Sequence, residues 1–447
     1  MKKIALSLLA LTLGIGAFAQ NNKECFRDHF KVYGFVRNYF AFDTRESVAG
    51  TGDLYYWLPK DQDLNALGED MNAQNQFRFL SLTSRIGLDV FGYKVKNTEF
   101  GAKIEADFYA GLTNSKGTAQ LRLRQAFATV KWAGLGERKQ GYINLKLGQA
   151  WHPVAADLPD IFSLESGAPF NAFSRTPQVT ADFGLSKNWM LTASALWQMQ
   201  YTSTGPAGSS ANYIKYALTP EVYAGVTYKT GGFLARAGVD VLSIKPRNTA
   251  MVKLSDASKE PETVMKVKDR LTTISPFVYL QYTDGKFKFK AKSILSQGGE
   301  HMNLMSGYAL KSMTEDNSLW TYTPMRTSSS WVTISYGKQL VGALLLGYMQ
   351  SLGTTEDIFS EDGKYAKASS NYYQPNGFSW INRMIRIQPE IVYNVGKFNV
   401  GLEYMLTGVQ YGGQVDGAYR YNLRGLCTDN LHWIMNHRVQ AMVKFNF

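Results

Sequence analysis

Two cysteines and five histidines are all that 447 residues contain of the residue types that build disulfide scaffolds and transition-metal sites. So few cysteines exclude a disulfide-dense domain and a thiolate zinc knuckle. His29, His152, His301, His432 and His437 form no metal-spaced pair along the chain and sit in no nucleophile motif. No phosphate loop or dinucleotide fingerprint occurs. The acidic group Glu356, Asp357, Glu361 and Asp362 lacks the full spacing of a calcium loop and reads as a solvated turn. An enzyme is therefore not expected, and no cofactor or metal. Beyond residue 19, no run reaches the ~18 apolar residues of a membrane-spanning helix. Mean hydropathy is low, at −0.23. That value does not argue against a membrane protein, because a transmembrane strand is apolar on only one face.

The N-terminus reads as an export signal. Lys2 and Lys3 precede an apolar run over 4–18, and A-F-A ends at Ala19. Residues 1–19 are set aside from the fold, 20–29 form a short lead, and 30–447 form one domain. Cys25 follows Asn22, Lys23 and Glu24, which is no lipid-attachment motif. Cys25 and Cys427 are expected at opposite ends of the molecule, too far apart to pair. The formal charge of +12 falls to +10 once the two leader lysines are removed. These basic residues lie within strand patterns rather than on a helix face, so nucleic acid is not an expected partner.

What is present is alternation. In the last eleven residues Val439, Ala441, Val443, Phe445 and Phe447 share one strand face, and Arg438, Gln440, Met442, Lys444 and Asn446 the other. A terminal strand of this kind closes an outer-membrane β-barrel. The same pattern places Phe100, Ala102, Ile104, Ala106 and Phe108 towards lipid. Short Gly, Asn or Asp turns flanked by aromatics recur, at Phe183/Trp189, Tyr228/Phe233, Tyr282/Phe287 and Tyr393/Phe398, with looser cases at Trp132/Tyr142 and Phe91/Phe100. Tight hairpins with aromatics at the membrane interface explain them. Long polar segments alternate with the short turns, at 44–75, 110–119, 151–175, 202–218, 245–264, 297–327, 352–379 and 409–433. Brief periplasmic turns and long outer loops have this asymmetry.

The fold class is therefore all-β, an antiparallel transmembrane barrel of about sixteen strands. The strands are expected near 30–43, 76–91, 97–109, 120–132, 142–150, 176–185, 189–201, 219–229, 233–244, 266–283, 285–296, 328–337, 339–351, 380–394, 396–408 and 434–447. Two segments fit poorly. Placing Leu121, Leu123 and Phe127 outward turns Trp132 inward unless a bulge lies near Val130. The 341–349 segment is apolar on both faces, which fits packing on an infolded loop or on a neighbouring subunit.

About sixteen strands leave an aqueous lumen. Alternation lines it with Arg37, Arg85, Lys103, Arg122, Arg124, Arg236, Lys288, Lys290, Lys292, Arg386, Arg438 and Lys444, among Asp89, Glu105, Asp107, Asp240, Glu390 and Glu403. Rings of basic side chains favour anions. Segment 151–175 carries Ile161, Phe162, Leu164, Phe170 and Phe173, which suit an infolded loop better than an exposed tip. Its Asp157, Asp160 and Glu165 would then face the basic wall across a constriction.

Phe30–Ser47 (F-K-V-Y-G-F-V-R-N-Y-F-A-F-D-T-R-E-S), Leu121–Phe127 (L-R-L-R-Q-A-F), Gly148–Trp151 (G-Q-A-W) and Ser174–Val179 (S-R-T-P-Q-V) resemble the DcaP-like porins of Gram-negative outer membranes. The likeness covers residues 30–180 and the terminal strand. It implies a sixteen-stranded, usually trimeric diffusion channel with an infolded third loop and a preference for small anions such as carboxylates. It carries Arg37, Arg122, Arg124 and Arg175 over as pore-lining. The N-terminal helical extension of some members has no counterpart in the short lead. The expected surroundings are outer-membrane lipid and lipopolysaccharide, with small anionic or neutral solutes inside. The alternative is a substrate-specific channel, for phosphate for example; an outer-membrane enzyme or an adhesin barrel has less behind it.

Overall fold

The computed structural model describes residues 29–50, 54–109, 119–137, 139–255, 262–373 and 377–447. The expected leader, Cys25, most of the lead and nearly all of segment 110–119 lie outside the described residues.

The main sheet has 19 strands and closes on itself. One stave of the barrel comes in two pieces, and two short strands, Gly307–Met313 and Asn371–Tyr373, extend the sheet beyond the wall. The wall is therefore sixteen staves, in chain order β1 Phe30–Asp43, β2 Gln76–Leu80 with Arg85–Val95, β3 Thr98–Tyr109, β4 Gln120–Leu135, β5 Gly141–Trp151, β6 Arg175–Gly184, β7 Trp189–Leu196, β8 Glu221–Thr230, β9 Phe233–Ile244, β10 Leu271–Asp284, β11 Phe287–Gln297, β12 Trp320–Gly337, β13 Leu340–Thr354, β14 Ile381–Val395, β15 Phe398–Tyr411 and β16 His432–Asn446. The first and last staves pair antiparallel from Phe35↔Asn446 to Asp43↔Arg438, which leaves no open edge.

Side-chain alternation sets the two faces. Along β10, Leu271, Thr273, Ser275, Phe277 and Tyr279 are buried inside, and Ile274, Val278 and Leu280 are exposed outside. Exposed Tyr93, Trp132, Trp189, Tyr282, Tyr336, Tyr393 and Phe398 lie beside the short turns. They form the aromatic girdle of one rim.

Three expectations need correction. The bulge in β4 sits at Arg124, not near Val130: Glu105 pairs with Gln125 and Ala106 with Leu123, so Arg124 is the extra residue. Leu121 and Leu123 stay outward and Trp132 regains the lipid side. Phe127 turns inward, opposite Lys103, with the Lys146 ammonium 5.4 Å from its ring centre. The expected strand 76–91 is broken at 81–84. There the Arg37 amide donates to Ser84 Oγ at 3.1 Å, so a hydroxyl replaces a ladder carbonyl. Strand β12 also begins at Trp320, eight residues earlier than expected, because it pairs with Gly307–Met313.

Candidate functional site

The loop 152–174 folds into the lumen. Val154, Ala155, Ala168, Phe170, Ala172 and Phe173 join the buried cluster of the inner wall. Two glycines of that wall make room for its rings. A Cβ on Gly347 would stand 2.7 Å from the Phe170 ring, and one on Gly401 2.8 Å from Phe162. The inward side chains of β13 (Leu345 and Met349) are fully buried. The apolar inner face of 341–349 is thus the seat of this loop.

Polar contacts fix the loop to the basic wall. Arg236 Nη1 lies 2.5 Å from Asp157 Oδ2, and Lys290 Nζ 2.6 Å from Asp160 Oδ1. Arg438 Nη1 meets Glu165 Oε1 at 3.0 Å. Arg386 donates to the Ala168 carbonyl at 2.9 Å and to the Trp57 carbonyl at 2.7 Å. Lys292 donates to the Val154 carbonyl. The expected opposition of charges across a gap is corrected here. Asp157, Asp160 and Glu165 touch the basic wall directly, because a charge inside the packed loop needs a partner at hydrogen-bond distance.

The open basic surface lies on β1–β4. Arg122 holds Asp107 through Nε at 2.8 Å and Nη2 at 2.9 Å. Arg124 bridges Glu105 and Asp107, each at 2.8 Å. Arg85 reaches Glu105 at 3.7 Å. Arg37 Nε donates to Thr83 Oγ1 at 3.0 Å, and among the described residues no ion pair reaches it. Three guanidiniums thus share two carboxylates, with Arg37 beside them. They face Ser163, Leu164, Ser166 and Phe173 of the infolded loop across a cavity of about 60 Å³. Register puts a cavity of about 900 Å³ above it, bounded by Glu46, Lys60, Asp61, Tyr56 and Trp380. A third, of about 400 Å³, lies below, bounded by Asp89, Lys103, Phe127 and Lys131.

The other sequence candidates spread along the barrel. Lys103 is neutralised by Asp89 at 2.7 Å in the lower space. Lys288 is exposed near the short-turn end, while Lys290 and Lys292 hold the loop. Arg175 is fully buried among Trp151, Phe173 and Tyr201, donating to the Tyr201 hydroxyl at 2.9 Å. Arg175, Lys292 and Arg386 point inward but are sealed under the loop rather than lying on the open inner surface. Cys427 is buried and unpaired.

Sequence reasoning missed three things. Leu54, Tyr55, Trp57 and Leu58, placed in a polar outer segment, pack into the central cluster beside the infolded loop. The run Y-Y-W-L-P was the available signal. Met302, Leu304 and Met305 do the same from segment 297–327. His152 and His301, distant in sequence, come to 6.2 Å between ring centres.

No family model and no curated protein matches the chain. Solved structures do. The outer membrane channel DcaP of Acinetobacter baumannii matches with TM-score 0.60 at 18% identity, over 94% of this chain and 97% of that one. OmpT, an outer membrane protein of Vibrio cholerae, matches with TM-score 0.50 at 11% identity, over 94% and 97%. An anion-selective porin from Comamonas acidovorans matches with TM-score 0.50 at 9% identity, over 94% and 99%. The chain thus has the closed, sixteen-stranded fold of the outer-membrane porins, that of the DcaP channel among them.

Proposed function

We propose that this protein is an outer-membrane porin, a passive channel for small hydrophilic solutes that favours anions such as small carboxylates. It would act as a homotrimer, in contact with lipid and lipopolysaccharide. One observation carries the reading: around the small cavity beside the infolded loop Arg37, Arg85, Arg122 and Arg124 outnumber their acids, while Asp157, Asp160 and Glu165 of the loop are paired with Arg236, Lys290 and Arg438. The local charge balance is positive where a solute is least hydrated. Fixed cations in a low-dielectric throat attract anions and repel cations. Arg37 is the strongest contributor, since among the described residues no ion pair reaches it. The wide spaces on either side let a solute shed and regain water in stages.

The test is permeation. Proteoliposomes carrying the purified protein should admit small dicarboxylates faster than neutral sugars of equal size. Equal rates would remove the anion preference. No entry of either solute would remove the channel and favour an adhesin barrel. Much faster entry of inorganic phosphate than of carboxylates would favour the phosphate-specific alternative.

A further inference from the structure

Four buried side chains from four separate segments converge beside the base of the infolded loop. His152 follows β5, Glu221 opens β8, Asp240 lies on the inner face of β9, and His301 sits in the single turn Glu300–Met302. Their relative exposures are 0, 1, 2 and 3%. Both imidazoles aim Nε2 at one oxygen, Glu221 Oε1, from 3.0 Å (His152) and 2.7 Å (His301). His152 Nε2 is also 3.7 Å from Asp240 Oδ1. One ligand-type atom from each residue lies within 4.8 Å of all the others. The Glu221 and Asp240 carboxyl groups crowd one another, and Glu221 Oε2 and Asp240 Oδ1 are buried with no N–H or hydroxyl donor. Two orphaned carboxylate oxygens in a sealed pocket with two imidazoles call for a cation at the centre.

We infer that His152, Glu221, Asp240 and His301 form a binding site for a divalent ion of the zinc class. Two carboxylates cancel the charge of such an ion, and two neutral imidazoles complete a four-coordinate shell. Zinc bonds of ~2.0–2.1 Å in a tetrahedron separate the ligand atoms by about 3.3 Å. The present spread needs shifts of an ångström or less to reach that. His301 Nδ1 is 3.2 Å from the Gly298 carbonyl. Donation there leaves the Nε2 lone pair free for metal and orients the ring, as in other histidine sites. His152 Nδ1 accepts the Val154 amide at 3.2 Å. Ligation through Nε2 moves its proton to Nδ1, a tautomer shift that gives up that one long contact and keeps the imidazole neutral.

A site with four protein ligands and no open position is structural rather than catalytic. It would clasp the base of the infolded loop to β8, β9 and the segment 298–306. The same segment already holds the loop's far end: the Phe173 amide donates to the Met302 carbonyl at 2.7 Å, and Asn303 Nδ2 to the Phe173 carbonyl at 2.6 Å. An ion here would lock both ends of the constriction loop at one place.

The experiment is zinc uptake by untagged, chelator-stripped protein in detergent, measured by elemental analysis, with heat-modifiable migration as the measure of folding. The inference predicts one zinc per chain, a barrel that unfolds at higher temperature with zinc than with chelator, and at least a tenfold weaker affinity for zinc in His301→Gln and in the double variant Glu221→Gln/Asp240→Asn. Uptake far below one per chain, or equal uptake by the variants, overturns it. If the variants do not fold, zinc-edge absorption of the wild-type protein decides. Two imidazole ligands near 2.0 Å support the site, and a shell without imidazole overturns it.

Discussion

Arg438 Nε donates to Asp43 Oδ1 at 2.8 Å, and the two residues are register partners at the seam where the last stave meets the first. The same guanidinium holds Glu165 of the infolded loop at 3.0 Å. One side chain thus ties barrel closure to the constriction. Arg438→Ala should orphan the buried Glu165 carboxylate and leave Asp43 only Asn436 and the more distant Arg78, and breaking a buried pair in this way costs about 3–5 kcal/mol. The folded form on unheated gels should melt at clearly lower temperature. A melting profile like that of the wild type would mean the seam does not depend on this contact.

Arg37 offers the cleanest test of the basic throat, because removing it orphans no acid. Arg37→Gln should leave the barrel folded and lower the anion preference measured as reversal potential. Lys288→Gln, at the exposed end of β11, should move it less. If Lys288 moved it more, the selective region would lie nearer the short-turn rim.

Gly347 leaves the space that the Phe170 ring fills. Gly347→Val should push that ring, and the loop with it, off β13, at an overpacking cost of about 1–3 kcal/mol. Single-channel current should rise and become noisier. Unchanged, quiet current would contradict the seating of the loop on β13.

The outer segment 44–75 should be sensitive to acid. Burial raises the Asp70 carboxyl, but the Arg45 guanidinium at 2.7 Å and the Asp63 and Asn72 amides outweigh it and hold the group below its ordinary range. A depressed carboxylate contributes stability above its unfolded value of ~3.9, and loses it as pH falls through the folded value. Protection of the amides around 61–72, taken relative to the intrinsic exchange rate at each pH, should therefore be high at neutral pH and fall at acid pH. Protection that stayed as high at acid pH would remove the role of this pair.

The barrel was legible because lipid and water impose a two-residue period, and β16 shows it plainly. The loop's infolding was legible in Ile161, Phe162, Leu164, Phe170 and Phe173, whose apolar surface suits no exposed tip. Its charge pairing was not, since strand alternation tells which face Lys290 and Arg236 occupy but not what docks there. The Arg124 bulge escaped notice for a similar reason. One extra residue flips the face of all that follow, and Phe127 and Trp132 together did not say where the flip falls. The tucked Leu54–Leu58 segment and the His152–His301 approach depend on contacts across the lumen, which no local pattern encodes.

The account rests on a water-filled throat biased towards anions. Its most direct measurement is the reversal potential of purified protein in a planar bilayer across a potassium chloride gradient. The account predicts stepwise conductance with a potential of the sign set by chloride. Steps whose potential takes the sign set by potassium, or a bilayer that stays silent, would contradict it.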